Sequence, residues 1–139
     1  MNLFLDTNVL LAACGSASGA SRAVFTLAPL NGWWLQTTPY VLREVVTNLD
    51  HFPSEATGGW VRLRTQLNVC DDVLSLDRVA VFPVAKDRPV LFSALAWAKV
   101  LLTLDAGDFG PLGGSFYGLR ILSPAAFIQG ERAAGRLRE

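Results

Sequence analysis

Asn2-Leu3-Phe4-Leu5-Asp6-Thr7-Asn8-Val9-Leu10 decides how the rest of the chain is read. Its apolar run is short and unbroken, and a carboxylate ends it. That pattern predicts a strand buried on both faces, a type found almost only in parallel sheets flanked by helices. Further apolar runs fall at residues 33–36, at 100–104, which ends in Asp105, and at 117–122.

Helical patterns fill the intervals. Residues 9–14 predict the first helical turns, and Gly15-Ser16-Ala17-Ser18-Gly19 a break. Ser21 is placed to cap a helix over 22–30, with Gly32 just past its end. Thr38-Pro39 joins a cap hydroxyl to a proline at the first helical position. The helix that follows, to about Asp50, sets Val41, Leu42, Val45 and Leu49 on one face with Glu44 beside them. Pro53-Ser54 opens another helix, weakened by Gly58-Gly59 and running through Trp60, Leu63 and Leu67. Residues 71–84 fit a short strand and a turn. Beyond Asp87, Pro89 starts a helix carrying Leu91, Leu95 and Ala98, and Ser123-Pro124 starts a last one ending near Arg132, Arg136 and Arg138. Strand and helix alternate without repeat or linker. The expectation is one α/β domain over 1–139, with a parallel sheet covered on both faces.

Composition narrows the function classes. With 139 residues, 51% hydrophobic and 17% charged, the chain has the makings of a core and none of the signature of disorder. Twelve basic and twelve acidic residues cancel, so it is no polycation that coats nucleic acid or membrane. His51 is the single histidine, which excludes any mechanism needing two imidazoles and any His-rich zinc site. Cys14 and Cys70 stand far apart and suit a reducing compartment. Asp6 interrupts the first apolar run too early for a signal peptide. The longest charge-free stretch, 23–42, collects Pro29, Asn31, Gly32, Gln36 and Pro39, unlike a spanning helix. A cytoplasmic protein without a membrane segment is expected.

The acids carry the functional signal. Asp6 and Asp105 directly follow apolar strands, so both emerge at the carboxyl edge of a parallel sheet, where α/β ligands bind. Helices begin where strands end, so Glu44 and Asp87, near helix starts, face the same edge. Four carboxylates that converge repel one another. Their convergence implies a cation, and an all-oxygen donor set selects a hard one, Mg²⁺ or Mn²⁺. Such a site suits phosphodiester hydrolysis. Asp108 could complete it, directly or through a water. Each acid also has a structural reading: Asp6 and Asp87 as helix caps, Glu44 as a surface charge, Asp105 to Asp108 as a turn with Gly107. Asp71, Asp72 and Asp77 read as loop acids.

These segments together resemble the PIN-domain family. Residues 3–10 resemble its opening motif, a hydrophobic strand followed by Asp-Thr-Asn. Val41-Leu42-Arg43-Glu44-Val45 resembles the second and Asp87-Arg88-Pro89-Val90-Leu91 the third, although Val84-Ala85-Lys86, with no further acid, precedes Asp87. Thr103-Leu104-Asp105-Ala106-Gly107-Asp108-Phe109 resembles the fourth. The resemblance implies a three-layer α/β/α sandwich with a central parallel sheet. It implies an Mg²⁺- or Mn²⁺-dependent endoribonuclease using Asp6, Glu44, Asp87 and Asp105, with Asp108 as auxiliary. Thr7, Asn8 and Thr103 would orient the acids. Many small bacterial and archaeal members are toxins of toxin–antitoxin pairs, so a homodimer and a cognate antitoxin are also implied.

The cations near the acids, Arg43, Lys86 and Arg88, are candidate RNA contacts, and Arg132, Arg136 and Arg138 a second strip or a solvated tail. Trp33, Trp34 and Trp60 read as core or interface residues before base-stacking ones. A dehalogenase-like phosphatase needs an acid where Asn8 stands, and Gly113-Gly114-Ser115-Phe116-Tyr117 fails the serine-hydrolase elbow at its last position. The remaining rival is a non-catalytic PIN-like module that binds RNA or protein.

Overall fold

The computed structural model describes residues 1–75, 87–107 and 115–139. The readings placed on Asp77, Lys86 and Asp108 lie outside the described residues. Elements run β1 (Asn2–Leu5), α1 (Thr7–Gly15), α2 (Ala20–Asn31), β2 (Trp34–Thr37), α3 (Pro39–Asn48) and α4 (Glu55–Leu63). They continue with β3 (Leu67–Val69), α5 (Arg88–Trp97), β4 (Val100–Leu102), β5 (Ser115–Phe116), β6 (Leu119–Leu122) and α6 (Pro124–Ala133). The strands form one sheet in the order β3-β2-β1-β4-β6-β5. All neighbours are parallel except β5, which makes an antiparallel hairpin with β6 at the edge. Helices cover both faces, giving a three-layer α/β/α sandwich.

The opening stretch sits where its sequence predicts. Leu3, Phe4 and Leu5 are fully buried, and β1 lies centrally with Phe4 between Gln36 of β2 and Leu101 of β4. The chain leaves β1 toward β2 and β3, then returns to the other side of β1 with β4. That reversal makes the carboxyl ends of β1 and β4 a topological switch point, the crevice where open α/β sheets bind ligands. Asp6 and Asp105 follow those two strands.

Several boundaries differ from the sequence reading. Gly19, not Ser21, caps α2, and Ser21 is buried inside the helix. Helix α3 ends at Asn48 and gives way to a 3-10 turn, Leu49–His51, with His51 exposed. Leu67 belongs to β3, separated from α4 by a 3-10 turn over Arg64–Gln66. A four-residue spacing such as Leu63 to Leu67 fits helix and strand periods alike, and backbone pairing of Leu67 with Leu35 settles it. Strand β4 stops at Leu102, because Thr103 turns its hydroxyl to the acids beyond, and Leu104 is exposed. Two expected ends hold: Gly32 closes α2 in the left-handed conformation, and the Ser123 hydroxyl accepts from Ala126 N–H at 3.1 Å. The C-terminal segment is pinned rather than frayed. Arg136 makes a forked contact with buried Glu131 at 2.9 and 3.0 Å, Arg132 pairs with Glu139, and Arg138 exchanges backbone bonds with the Asn31 side chain. Among the described residues no single helix is long and apolar enough to cross a membrane.

Helix α1 is the packing hub, resting on α2, α3 and α4. The approach to α4 is closest at Gly59, where an added Cβ would lie 2.9 Å from the Cys14 carbonyl oxygen and 3.2 Å from its Cα. Both are backbone atoms and cannot swing aside. Gly59→Ala is therefore expected to destabilise the fold by about 2 kcal/mol despite its better helix propensity. Gly58→Ala meets only the Arg62 side chain, at 3.6 Å, and should stabilise by about 1 kcal/mol. Urea unfolding of the two variants reads both signs.

Candidate active site at the carboxyl edge

Asp6 is the N-cap of α1, and it is nearly buried. Its Oδ1 accepts from Thr7 N–H at 2.7 Å and its Oδ2 from the Thr103 hydroxyl at 2.8 Å. The capping reading of Asp6 is thus correct, and it does not exhaust the residue. Burial, then the charges of Asp87 and Glu44, push its carboxyl up to about 6, against the lowering effect of those two hydrogen bonds. Three acids from three segments therefore share one electrostatic neighbourhood.

The residues after Asp6 tie in the others. The Thr7 hydroxyl donates to Glu44 Oε1 at 3.0 Å, which fixes the glutamate on half-buried ground in the second turn of α3. The Asn8 amide donates to Asp105 Oδ2 at 2.8 Å, while its oxygen accepts from Leu104 N–H at 3.1 Å. Thr103, fully buried, also accepts from Asp105 N–H at 3.1 Å. One hydroxyl and one amide, adjacent in sequence, thus hold the second and fourth motifs against the first. Thr7, Asn8 and Thr103 each contact an acid, as the sequence reading places them.

Asp87 stands at the N-cap position of α5, as its structural reading has it, without a side-chain capping bond. Its place in the group rests on its repulsion of Asp6. Asp105 is exposed. Arg43 and Arg88 are exposed beside Glu44 and Asp87. Among the described residues no three His, Cys, Asp or Glu side chains are grouped so as to hold a metal ion by themselves. The acids form an open edge rather than a closed cage.

Two residues escaped the sequence reading. Tyr40 lies one helical turn before Glu44 and lines a pocket of about 250 Å3 with Arg43, Glu44 and Asn48. Burial, then Glu44, Asp87 and Asp6, hold its phenol above the ordinary range, and Arg43 opposes them. The i, i+4 spacing from Glu44 was the available signal. Asp72, read as a loop acid, anchors the start of α3: its carboxylate accepts from Tyr40 N–H at 3.1 and 3.3 Å. It replaces Thr38, whose hydroxyl is buried without a partner among the described residues. Nothing in the sequence joins residues so far apart. Cys14 and Cys70 are free thiols, Cys14 buried and Cys70 donating to Gln36 Oε1 at 3.0 Å.

No model of a known protein family matches the chain, and no curated protein matches it.

Proposed function

We propose that the protein is an Mg²⁺- or Mn²⁺-dependent endoribonuclease of PIN type, working in a reducing cytoplasmic compartment. The observation that carries this reading is the Thr7–Asn8 bridge, which draws Glu44 and Asp105 to Asp6, a carboxylate already burdened by burial and by like charges. Retaining that repulsion is unfavourable unless a cation relieves it.

The donor set fits a hard divalent ion: carboxylate oxygens alone, with no imidazole or thiol among them. The open arrangement fits as well, since Mg²⁺ keeps several waters and is commonly held by one or two carboxylates together with a substrate phosphate. Asp6, Glu44, Asp87 and Asp105 would hold it. When bound, the ion supplies water activation and neutralises phosphate charge. The chain's own residues do the rest. Thr7 and Thr103 fix the carboxylates of Glu44 and Asp6 with their lone pairs directed, and Asn8 orients Asp105. Helices α1, α3 and α5 present their N-termini at this edge, which favours a phosphate against the surrounding acids. Arg43 and Arg88 steer the RNA strand to the acidic cleft and contact its phosphates. Exposed Trp34, Val46, Val61 and Val69 offer apolar surface for a second copy or for an antitoxin-like partner.

The test is cleavage of single-stranded RNA with Mn²⁺ and with EDTA, beside an Asp105→Asn variant and Mn²⁺ calorimetry of both proteins. The expected products carry 5′-phosphate and 3′-hydroxyl ends, formed only with the ion present. Asp105→Asn should weaken both cleavage and ion binding and leave the thermal transition intact. Cyclic phosphate ends, or full activity in EDTA, would exclude this chemistry. Absence of both cleavage and ion binding in the wild type would favour a non-catalytic binding module.

A further inference from the structure

The opposite edge of the sheet has its own organisation. At the amino ends of the parallel strands a cleft of about 590 Å3 is lined by Met1, Asn2, Trp97, Lys99, Tyr117 and Gly118. A second cleft, also of about 590 Å3, adjoins it through Met1 and carries Arg136 and Arg138. Among the described residues the two clefts hold Lys99, Arg136 and Arg138. Of the acids beside them, Glu131 is buried and held by Arg136, and Glu139 is paired with Arg132.

The two aromatic side chains in the first cleft are exposed, and the Tyr117 ring rests edge-on against Phe116 with ring centroids 4.9 Å apart. Trp97 is 38% exposed, yet its indole N–H donates to the Asp71 carbonyl at 2.8 Å. The Asn2 amide donates to the Trp97 carbonyl at 3.2 Å, tying the end of α5 to the start of β1. Tyr117 is 49% exposed and forms, with Gly118, the two-residue turn of the β5–β6 hairpin. Both turn residues have positive φ, 48° and 86°, the requirement of a type I′ turn. Gly118 meets that requirement freely. A tyrosine does not, because its Cβ crowds the backbone in the left-handed region. Asn or Gly would serve the hairpin better, so the turn alone does not explain a large aromatic ring here. Strain of this kind persists where a side chain is needed in place.

We infer that the amino-edge cleft binds single-stranded nucleic acid, with bases stacking on Trp97 and Tyr117 and the phosphate backbone running over Lys99 toward Arg138. Fixed aromatic faces beside cations are the means by which single strands are held without sequence readout. The cleft volume lies within the range of ordinary ligand sites. The lysine in the cleft wall favours a phosphate backbone over a protein partner, whose interface core is depleted of lysine. This site is separate from the acidic edge and stands whether or not that edge cleaves RNA.

The experiment is fluorescence anisotropy of a short fluorescein-labelled oligouridylate in EDTA, so that no metal-dependent cleavage intervenes. Wild type is compared with Tyr117→Asn and Lys99→Glu, and the oligouridylate with an abasic strand of equal length. Binding to wild type is expected, with roughly tenfold loss in Tyr117→Asn, in Lys99→Glu and for the abasic strand. Tyr117→Asn relieves the turn, so its melting temperature should equal or exceed that of wild type while its affinity falls, a pairing that general unfolding does not produce. Wild-type affinity in both amino-edge variants, or equal affinity for the abasic strand, would overturn the proposal. So would absence of binding to the wild-type protein.

Discussion

Asp6→Asn is expected to abolish metal-dependent cleavage and, in the same molecule, to stabilise the metal-free protein at pH 8. Folding raises the Asp6 carboxyl from 3.8 to about 6, chiefly through burial. Between those two values the folded state binds the proton more tightly than the unfolded chain does. Stability contributed by the protonated form is complete below pH 4 and is lost as pH rises through 6. The difference amounts to about 3 kcal/mol at pH 8, since each unit corresponds to about 1.4 kcal/mol. An asparagine escapes this penalty: it fits the same space, stays neutral, and its carbonyl still accepts from Thr7 N–H or from the Thr103 hydroxyl. Urea unfolding of both proteins in EDTA from pH 4 to pH 8 should show the wild type losing ground against the variant across that interval. Other titrating groups, such as Glu131 with its carboxyl lowered by Arg136, move both curves together and drop out of the comparison. Mn²⁺ should restore stability to the wild type at pH 8 and do little for the variant, because Asp6 must give up its proton before a cation is held there. Activity should fall by more than roughly 100-fold, beyond what loss of an outer hydrogen-bond partner causes. Curves that run parallel from pH 4 to pH 8 would show that Asp6 ionises without penalty, and the electrostatic argument for a cation would fall with them.

The same residue shows what was legible in the sequence. An apolar run closed by a carboxylate was enough to read β1 as a buried strand of a parallel sheet, with Asp6 at its carboxyl edge. Pro39 and the Ser123-Pro124 pair located two helix starts, because those signals act within a few residues, although the Thr38 hydroxyl makes no capping bond. Strand β3 was not legible. Its three residues carry a Leu at a spacing that a helix also uses, and only pairing with β2 selects the strand. Asp72 was hidden for the same reason: its partner is the Tyr40 amide, brought near by the sheet and not by the chain. The orienting groups Thr7, Asn8 and Thr103 became visible through resemblance, since neither periodicity nor charge marks a threonine as the partner of a distant acid. The apolar pattern over 117–122 predicts Tyr117 in a strand, whereas β6 begins at Leu119. A positive φ is the property of a turn, and tyrosine is the wrong residue by which to predict one.

Thr103 offers the sharpest separation between a positioning role and a packing role. It is fully buried at the end of β4, and its one hydroxyl serves two partners, donating to Asp6 Oδ2 at 2.8 Å and accepting from Asp105 N–H at 3.1 Å. Valine has almost the same shape, so Thr103→Val removes the bonds and keeps the packing. Without that donor the charged form of Asp6 loses its main stabilising contact, and its carboxyl moves further up from about 6. Two consequences follow for the proposed reaction. Cleavage at pH 7 should fall by about 10- to 100-fold, the range for partners that orient ligands. The rising limb of the pH–rate profile should also shift to higher pH, so that part of the loss is recovered in alkaline buffer. Thr103→Ser restores the hydroxyl and should restore both the rate and the position of that limb. A packing role predicts the reverse order, with valine near wild type and serine, which lacks the methyl group, the poorer variant. An unshifted profile in Thr103→Val, whatever its rate, would mean that the hydroxyl does not govern Asp6. The case for a threonine at the end of β4 would then reduce to its second bond, the one that holds the turn carrying Asp105.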